Sequence, residues 1–180
     1  TTSYNTAVGA RAGEAVTTGQ QNTFIGALSG DAVTTGGLNV AIGMHALGGN
    51  TVGSRATALG YSALLAQNPA TATNTYNTAA GYEAGLSITT GIENTLVGAL
   101  AGDALTDADA NVAIGISALS GDTKGNKAVA IGKGALYTQN FTTSTDNYNI
   151  GIGHNAGLNI TMGIQNTLIG GIAGDALTSG

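Results

Sequence analysis

The feature that most constrains this chain is an internal repeat that runs along its whole length. An aliphatic residue followed by glycine recurs ten times, and successive glycines are 17, 17, 17 and then 21 residues apart before the cycle starts again. Residues 1–72 and 73–144 are therefore two full blocks, and residues 145–180 begin a third. A fixed period of this length indicates stacked structural units, each contacting its neighbours, in place of one globular core. The glycines are Gly9, Gly26, Gly43, Gly60, Gly81, Gly98, Gly115, Gly132, Gly153 and Gly170.

The three residues before each of these glycines have the pattern of a short β-strand. Val40, Ala41 and Ile42 are typical: two aliphatic or β-branched residues flank a small one. Residues two apart lie on the same face of a strand, so we expect the larger pair to face the interior and the middle residue to face outward. The middle residue is large once per block, and at those positions we predict contacts with a neighbouring chain: Phe24, Leu96 and Leu168.

Coil length and glycine content together predict the fold class. The chain has 30 glycines, and each would destabilise a helix by about 1 kcal/mol relative to alanine. Seventeen residues suffice for two or three short strands with their turns. We therefore predict an all-β parallel β-solenoid of ten coils with lengths 17/17/17/21, about 50 Å long at the usual strand spacing. Recurring Asn residues at the start of the motif predict either an amide ladder or a left-handed turn. Thr-x-Gly sequences predict turns in which the glycine has a positive φ.

Composition excludes several classes of partner. The net charge is −5, only 8% of residues are charged, and no basic stripe is present, so we expect no nucleic-acid binding. No apolar run approaches the roughly 18 residues that span a bilayer, so we expect no membrane insertion of this segment. We interpret residues 1–180 as one continuous solenoid segment of a longer repetitive fibre.

A search for catalytic or metal-binding motifs finds none that fits. His45 and His154 occupy different motif positions, and Asp107 and Asp109 lack the glycine and glutamate of a calcium-binding loop. We therefore expect no enzymatic activity, no cofactor and no metal site. Ice binding is a remote alternative, because the paired threonines are adjacent in sequence and adjacent strand residues face opposite ways.

The fourth coil of each block contains four extra residues, in the connections 65–76 and 137–148. Insertions in solenoids form loops on one face and often carry contact residues. Amides and aromatic rings are concentrated there, in a chain with only 4% aromatic residues. The stronger interpretation is that these loops only support the neighbouring coil or chain. We expect any glycan or protein partner to contact this set: Gln67, Asn68, Tyr137, Gln139, Asn140, Phe141 and Tyr148.

Two versions of the motif resemble known families. Asn-Val-Ala-Ile-Gly at 39–43 and 111–115, and Ala-Val-Ala-Ile-Gly at 128–132, resemble the head repeats of trimeric autotransporter adhesins. Tyr-Asn-Thr-Ala-Val-Gly at 4–9, with its Thr-Thr-Gly turn, is similar to repeats of phage tail fibres. The resemblance implies a left-handed β-roll, a homotrimer and an extracellular location, on a virion tail fibre or on a bacterial surface. The adhesin repeat is shorter than 17 residues, so a single-chain solenoid remains open beside the trimer.

These observations predict a structural role. The expected function is that of a non-catalytic fibre segment, most similar to a phage tail-fibre shaft or receptor-binding region. A bacterial adhesin or surface filament is the alternative within the same structural class. Receptor contacts, where present, would be made to a cell-surface glycan or protein.

Overall fold

The structure is a computed structural model that describes residues 3–179, so Thr1, Thr2 and Gly180 of the repeat lie outside the described part. It confirms the predicted all-β parallel solenoid, with one three-residue strand in each of ten coils. Two further two-residue strands lie in the last coil of the second block and the connection that follows it. In chain order the strands are β1 Thr6–Val8, β2 Thr23–Ile25, β3 Val40–Ile42, β4 Thr57–Leu59, β5 Thr78–Ala80, β6 Thr95–Val97, β7 Val112–Ile114, β8 Gly125–Asn126, β9 Val129–Ile131, β10 Thr145–Asp146, β11 Ile150–Ile152 and β12 Thr167–Ile169.

Ten of the strands form one parallel sheet in strict register. Each strand pairs with the equivalent strand of the next coil, so that Val40 lies beside Thr57, Ala41 beside Ala58 and Ile42 beside Leu59. The register is the same across both four-residue insertions, where β4 pairs with β5 and β9 pairs with β11. The extra residues therefore loop out of the coil without shifting the next strand. Within the second insertion, β10 forms a small parallel pair with β8 of the preceding coil.

Backbone hydrogen bonds between coils continue beyond the strands. For example, the Gly13 N–H donates to the Ser29 carbonyl and the Thr17 N–H donates to the Thr34 carbonyl. The predicted Asn column forms a side-chain ladder: Asn22 Oδ1 accepts from the Asn39 N–H at 3.0 Å, while Asn39 Nδ2 donates to the Gly53 carbonyl at 3.0 Å. Each buried Asn side chain thus accepts a backbone N–H of the next coil and donates to the carbonyl of a turn glycine. Because buried polar groups need hydrogen-bond partners, these bonds stabilise the stacking.

The predicted orientation of the strand side chains is wrong. The middle residue faces the interior, since Ala41, Ala58 and Ala113 are fully buried, whereas Ile42 and Leu59 are each 38% exposed and Ile114 is 37% exposed. The reason is space: neighbouring backbone segments enclose an interior so narrow that it accepts mainly alanine or glycine at this position. The larger aliphatic residues consequently lie on the outer face of the sheet.

The same inversion corrects the assignment of the large middle residues to the outside of the chain. Phe24 and Leu96 are fully buried and Leu168 packs against the core, so these side chains fill their own solenoid instead of being free for a neighbouring chain. Their volume is matched by glycines: a Cβ on Gly13 would lie 2.8 Å from the Phe24 ring, and one on Gly85 or Gly102 would lie 2.8 Å from Leu96. Where the strand residue is alanine in the third and fourth coils, leucine replaces these glycines, as at Leu47 and Leu64.

Glycine conformation also differs from the prediction at the Thr-x-Gly turns. Gly19, Gly36 and Gly91 are not among the residues with positive φ, and the left-handed conformation falls instead on residues such as Leu38 (φ 61°) and His45 (φ 60°). The turn glycines are needed for close approach, because a Cβ on Gly36 would collide with the Gly53 carbonyl oxygen of the next coil. The glycines after the strands require both properties, and Gly98 has φ 132° with the Gly115 carbonyl 2.6 Å from its hypothetical Cβ.

These orientations predict opposite effects for charges at adjacent positions. Ala113→Asp buries a carboxylate without a partner, so it should destabilise the solenoid by several kcal/mol. Ile114→Asp places the carboxylate on the exposed sheet face and should leave the fold intact. Thermal unfolding followed by circular dichroism measures both. Equal destabilisation by the two changes would contradict the orientation described here.

Candidate contact sites at the fourth coils

The structure divides the predicted contact residues into a buried and an exposed set. Gln67 and Gln139 are fully buried, and Phe141 is 6% exposed, so these three residues are inaccessible to a glycan. Asn68 and Asn140 are exposed but bind the preceding coil, through Thr51 and Thr123 respectively. The exposed rings of the set are Tyr137 and Tyr148, at 44% and 49%. Much of the insertion therefore supports the coil.

A buried polar network centred on Asp122 holds the second insertion in place. Asp122 Oδ1 accepts from the backbone N–H groups of Gly125 at 3.1 Å and Phe141 at 3.0 Å. Its other oxygen, Oδ2, accepts from Gln139 Nε2 at 2.6 Å. Gln139 Oε1 in turn accepts from Asn149 Nδ2 at 2.8 Å. The network links the third coil, the insertion and the Asn ladder, and it compensates a carboxylate that is fully buried.

The first block replaces the charge at the centre of this network. Asn50 stands where the second block has Asp122, and it bonds to Gly53 through both its oxygen and its nitrogen. Pro69 stands where the second block has Phe141 and has no N–H to donate. Gln67 Oε1 still accepts from Asn77 Nδ2 at 2.9 Å, but Gln67 Nε2 has no partner among the described residues. Proline removes one backbone donor from the first block, but Gln67 Nε2 lacks the acceptor that Asp122 gives Gln139 in the second block.

Sequence reasoning missed the interior column to which these polar residues belong. Seven residues after each motif glycine, the first two coils of a block have an aliphatic residue and the last two have a polar one. The aliphatic members Val33, Ile88 and Leu105 are fully buried, as are the polar members Asn50, Gln67, Asp122 and Gln139. Alignment of the coils at the glycine would have shown this column, because the aliphatic members identify it as interior.

Two exposed polar corners form where residues just before a fourth-coil strand meet residues just before the strand that follows the insertion. In the second block, Lys127 Nζ bonds to Asp146 Oδ2 at 2.5 Å and lies 5.3 Å from the centre of the Tyr148 ring. In the first block, Arg55 Nε donates to Asn74 Oδ1 at 3.2 Å, and its guanidinium carbon lies 5.9 Å from the Tyr76 ring centre. We call these sets corner B (Lys127, Asp146, Tyr148) and corner A (Arg55, Asn74, Tyr76).

Charge pairing perturbs the ionisation of corner B. The hydrogen bond from Lys127 lowers the pKa of Asp146 below its ordinary value, and a second bond from Asn126 acts in the same direction. The hydrogen bond to Asp146 correspondingly raises the pKa of Lys127, with a further contribution from Tyr148. Because the pKa of Asp146 is lowered in the folded state, any stability from the pair is present above the unfolded pKa and is lost as the pH falls.

Another exposed aromatic group lies at the C-terminal ends of β4 and β5. The rings of Tyr61 and Tyr82 stack with centroids 5.5 Å apart and an interplanar angle of 10°, and His45 meets Tyr61 edge-on at 6.4 Å. Hydrogen bonding to Glu83 is the main cause that raises the pKa of Tyr82. The stack follows from the register, because residues one after the motif glycine lie above one another in consecutive coils.

The search for metal-binding geometry covers the part of the chain that the structure describes. Within residues 3–179 there is no group of three or more His, Cys, Asp or Glu side chains close enough to hold a metal ion. His45 lies beside Tyr61, while His154 is in a coil of the third block. The same residues enclose no pocket.

No described residue belongs to a helix with the length and apolar character needed to cross a membrane. Comparison of the chain with protein-family models, with curated proteins and with solved structures gives no match in any of the three. Functional inference for this chain therefore rests on its own geometry and on the motif resemblance.

Asp122→Asn tests the buried network. The amide nitrogen would confront Gln139 Nε2 or the backbone donors, leaving at least one buried donor without an acceptor, so we expect a loss of about 1–3 kcal/mol. Urea unfolding measures the change in the free energy of unfolding. Asp107→Asn, in a partly exposed turn, is the matched control and should change stability by less than about 0.5 kcal/mol. An equal effect of both substitutions would contradict the network.

Lys127→Gln tests the electrostatics of corner B. Removal of the cation should raise the pKa of Asp146 towards its ordinary value, because the largest contribution to its lowering is lost. Carboxyl chemical shifts followed by NMR during a pH titration report this pKa directly. Arg55→Gln, at the equivalent position of corner A, should leave the Asp146 titration unchanged. An Asp146 pKa that does not respond to loss of Lys127 would show that the pair is not formed in solution.

Proposed function

We propose that this chain is a non-catalytic fibre segment whose copies associate side by side as a homotrimer through the exposed face of the ten-stranded sheet. The observation that carries the proposal is the column of aliphatic side chains on that face. Val8, Ile25, Ile42, Leu59, Val97, Ile114 and Ile169 are each 37% exposed or more in the single chain. A continuous exposed apolar surface on a soluble protein usually marks a contact with another molecule.

The geometry of this face favours a second copy of the same chain as the occupant. Its side chains repeat once per coil over ten coils, at the strand spacing of about 4.8 Å. A partner that matches every coil needs the same spacing over the same length, and another copy of this solenoid in parallel register has it. The trimeric number comes from the motif resemblance, which also supports a tail-fibre or bacterial adhesin role and an extracellular location.

The fold suits a spacer that holds binding elements at a distance. Every coil is joined to the next by backbone hydrogen bonds, and ten coils give a rod of about 50 Å. The stiffness comes from the backbone ladder, so surface residues are free to vary without loss of length. A phage tail fibre is the first proposal and a bacterial surface adhesin the second, since both require such a shaft.

Light scattering coupled to size-exclusion chromatography tests this association. We expect the unmodified chain to have the mass of three copies. The double variant Ile42→Lys/Ile114→Lys places charges on the sheet face and should give a folded monomer, with the circular dichroism of the parent. Met162→Lys, at a 66% exposed position outside the strands, is the control and should remain a trimer. A monomeric parent, or a trimer that survives the double substitution, would contradict the proposal.

Ice binding is the second candidate, and one observation favours it. The first strand position is threonine in six of the ten coils, and these side chains lie on the outward face of the sheet, beside the aliphatic column. An ice-binding surface needs regular rows of hydroxyl and methyl groups on a sheet, and threonine supplies both groups. In the trimer this face is covered, so thermal hysteresis produced by the unmodified chain would favour ice binding and count against the proposed association.

A further inference from the structure

The two polar corners are copies of one structure, 72 residues apart, that differ in charge. Arg55, Asn74 and Tyr76 of corner A correspond to Lys127, Asp146 and Tyr148 of corner B. Both cationic residues have the left-handed backbone conformation, with φ of 63° at Arg55 and 61° at Lys127. Both tyrosines do too, so the backbone presents the cation and the ring in the same way in the two blocks.

In corner B a carboxylate lies between the cation and the tyrosine hydroxyl. Asp146 Oδ2 accepts from Lys127 Nζ and lies 3.4 Å from the hydroxyl of Tyr148, which itself lies 3.3 Å from Lys127 Nζ. A carboxylate supplied by the chain therefore occupies the space between the cation and the phenol.

Corner A has the cation and the ring but lacks the carboxylate. Asn74 takes the place of the acidic residue, and its Oδ1 engages only Arg55 Nε, leaving the two terminal guanidinium nitrogens without an ion pair. Of the five basic residues, three form ion pairs among the described residues, and Arg55 and Lys133 do not. Arg55 is exposed and Tyr76 is 52% exposed, so both are accessible from solvent in the single chain.

We propose that corner A binds the carboxylate of a hexuronic acid residue in an acidic polysaccharide. The guanidinium ends would take the carboxylate in the bidentate geometry that arginine favours. The Tyr76 ring would pack against the C–H face of the sugar, and Asn74 Nδ2 would donate to a ring or hydroxyl oxygen. A sugar fits better than a peptide side chain because the corner offers an exposed ring, an amide and a guanidinium on an open surface, and the described residues enclose no pocket.

Position and net charge make this contact specific. Arg55 and Tyr76 each stand two residues before a strand, at the N-terminal ends of β4 and β5, so association through the aliphatic column would leave corner A at the rim of the contact. The chain carries a net charge of −5 and no basic stripe, so long-range attraction to a polyanion is absent and the contact depends on the local geometry of corner A. An acidic polysaccharide would be the class of surface that the proposed fibre contacts. Binding at corner A is tested independently, and only its role in attachment rests on the proposed function.

Titration with oligogalacturonate, followed by amide NMR shifts and calorimetry, tests the proposal. We expect saturable binding with shifts centred on Asn74 and Tyr76. We expect no binding of the same oligosaccharide after methyl esterification, which removes the negative charge and adds a methyl group. Arg55→Gln should weaken binding about tenfold or more. Asn74→Asp should do the same, because it supplies corner A with the internal carboxylate of corner B.

Lys127→Gln is the matched control at corner B and should leave the affinity for oligogalacturonate unchanged. Equal binding of the esterified oligosaccharide, unchanged affinity after Asn74→Asp, or no saturable binding by the parent would overturn the proposal. The oligomeric mass of each variant is measured in the same samples. Loss of sugar binding with an unchanged mass then separates failure of this site from failure of the proposed association.

Discussion

The in-register hydrogen-bond ladder between coils is the interaction on which the rest of the structure depends. It places each residue directly above the one 17 positions earlier, or 21 positions earlier across an insertion. Each position of the motif thereby becomes a column, and each column has one environment along the rod. The Asn ladder reinforces this register from the interior, since each side-chain oxygen accepts the backbone N–H of the Asn in the next coil. Fourth coils interrupt the amide ladder with Ala56 and Ala128, whose N–H groups still donate to the preceding Asn.

A narrow interior follows from this stacking and decides where large side chains lie. Alanine and glycine fill most of the strand positions inside, and one Phe or Leu per block fills the space that paired glycines leave. The larger aliphatic residues of the strands therefore lie on the outer face of the sheet, whereas Leu47, Leu64 and Ile88 are buried at other positions of the coil. The result is an apolar outer sheet face around an apolar interior with a few buried amides, which is why surface contacts carry the functional proposals.

The sequence was sufficient to predict the architecture, because the period, the strand positions and the insertions are visible as columns. Side-chain direction was not predictable from alternation alone. At Val40, Ala41 and Ile42 the ordinary rule sends the larger residues inward, and only the width of the coil reverses it. The contact residues were assigned by composition, so buried Gln139 and Phe141 were grouped with exposed Tyr148. Hydrogen bonding to Asp122 separates them, and that residue is 17 or more positions away in the chain.

The most direct test of the coil stacking is a distance measured along the rod. The chain has no cysteine, so Ile25→Cys and Ile169→Cys, both on the outer sheet face, can be labelled with nitroxides and diluted into unlabelled protein. Eight coils separate them, and the account predicts a narrow double electron–electron resonance distance distribution centred near about 38 Å. A broad distribution, or a centre that requires the two four-residue insertions to add to the rise, would contradict it.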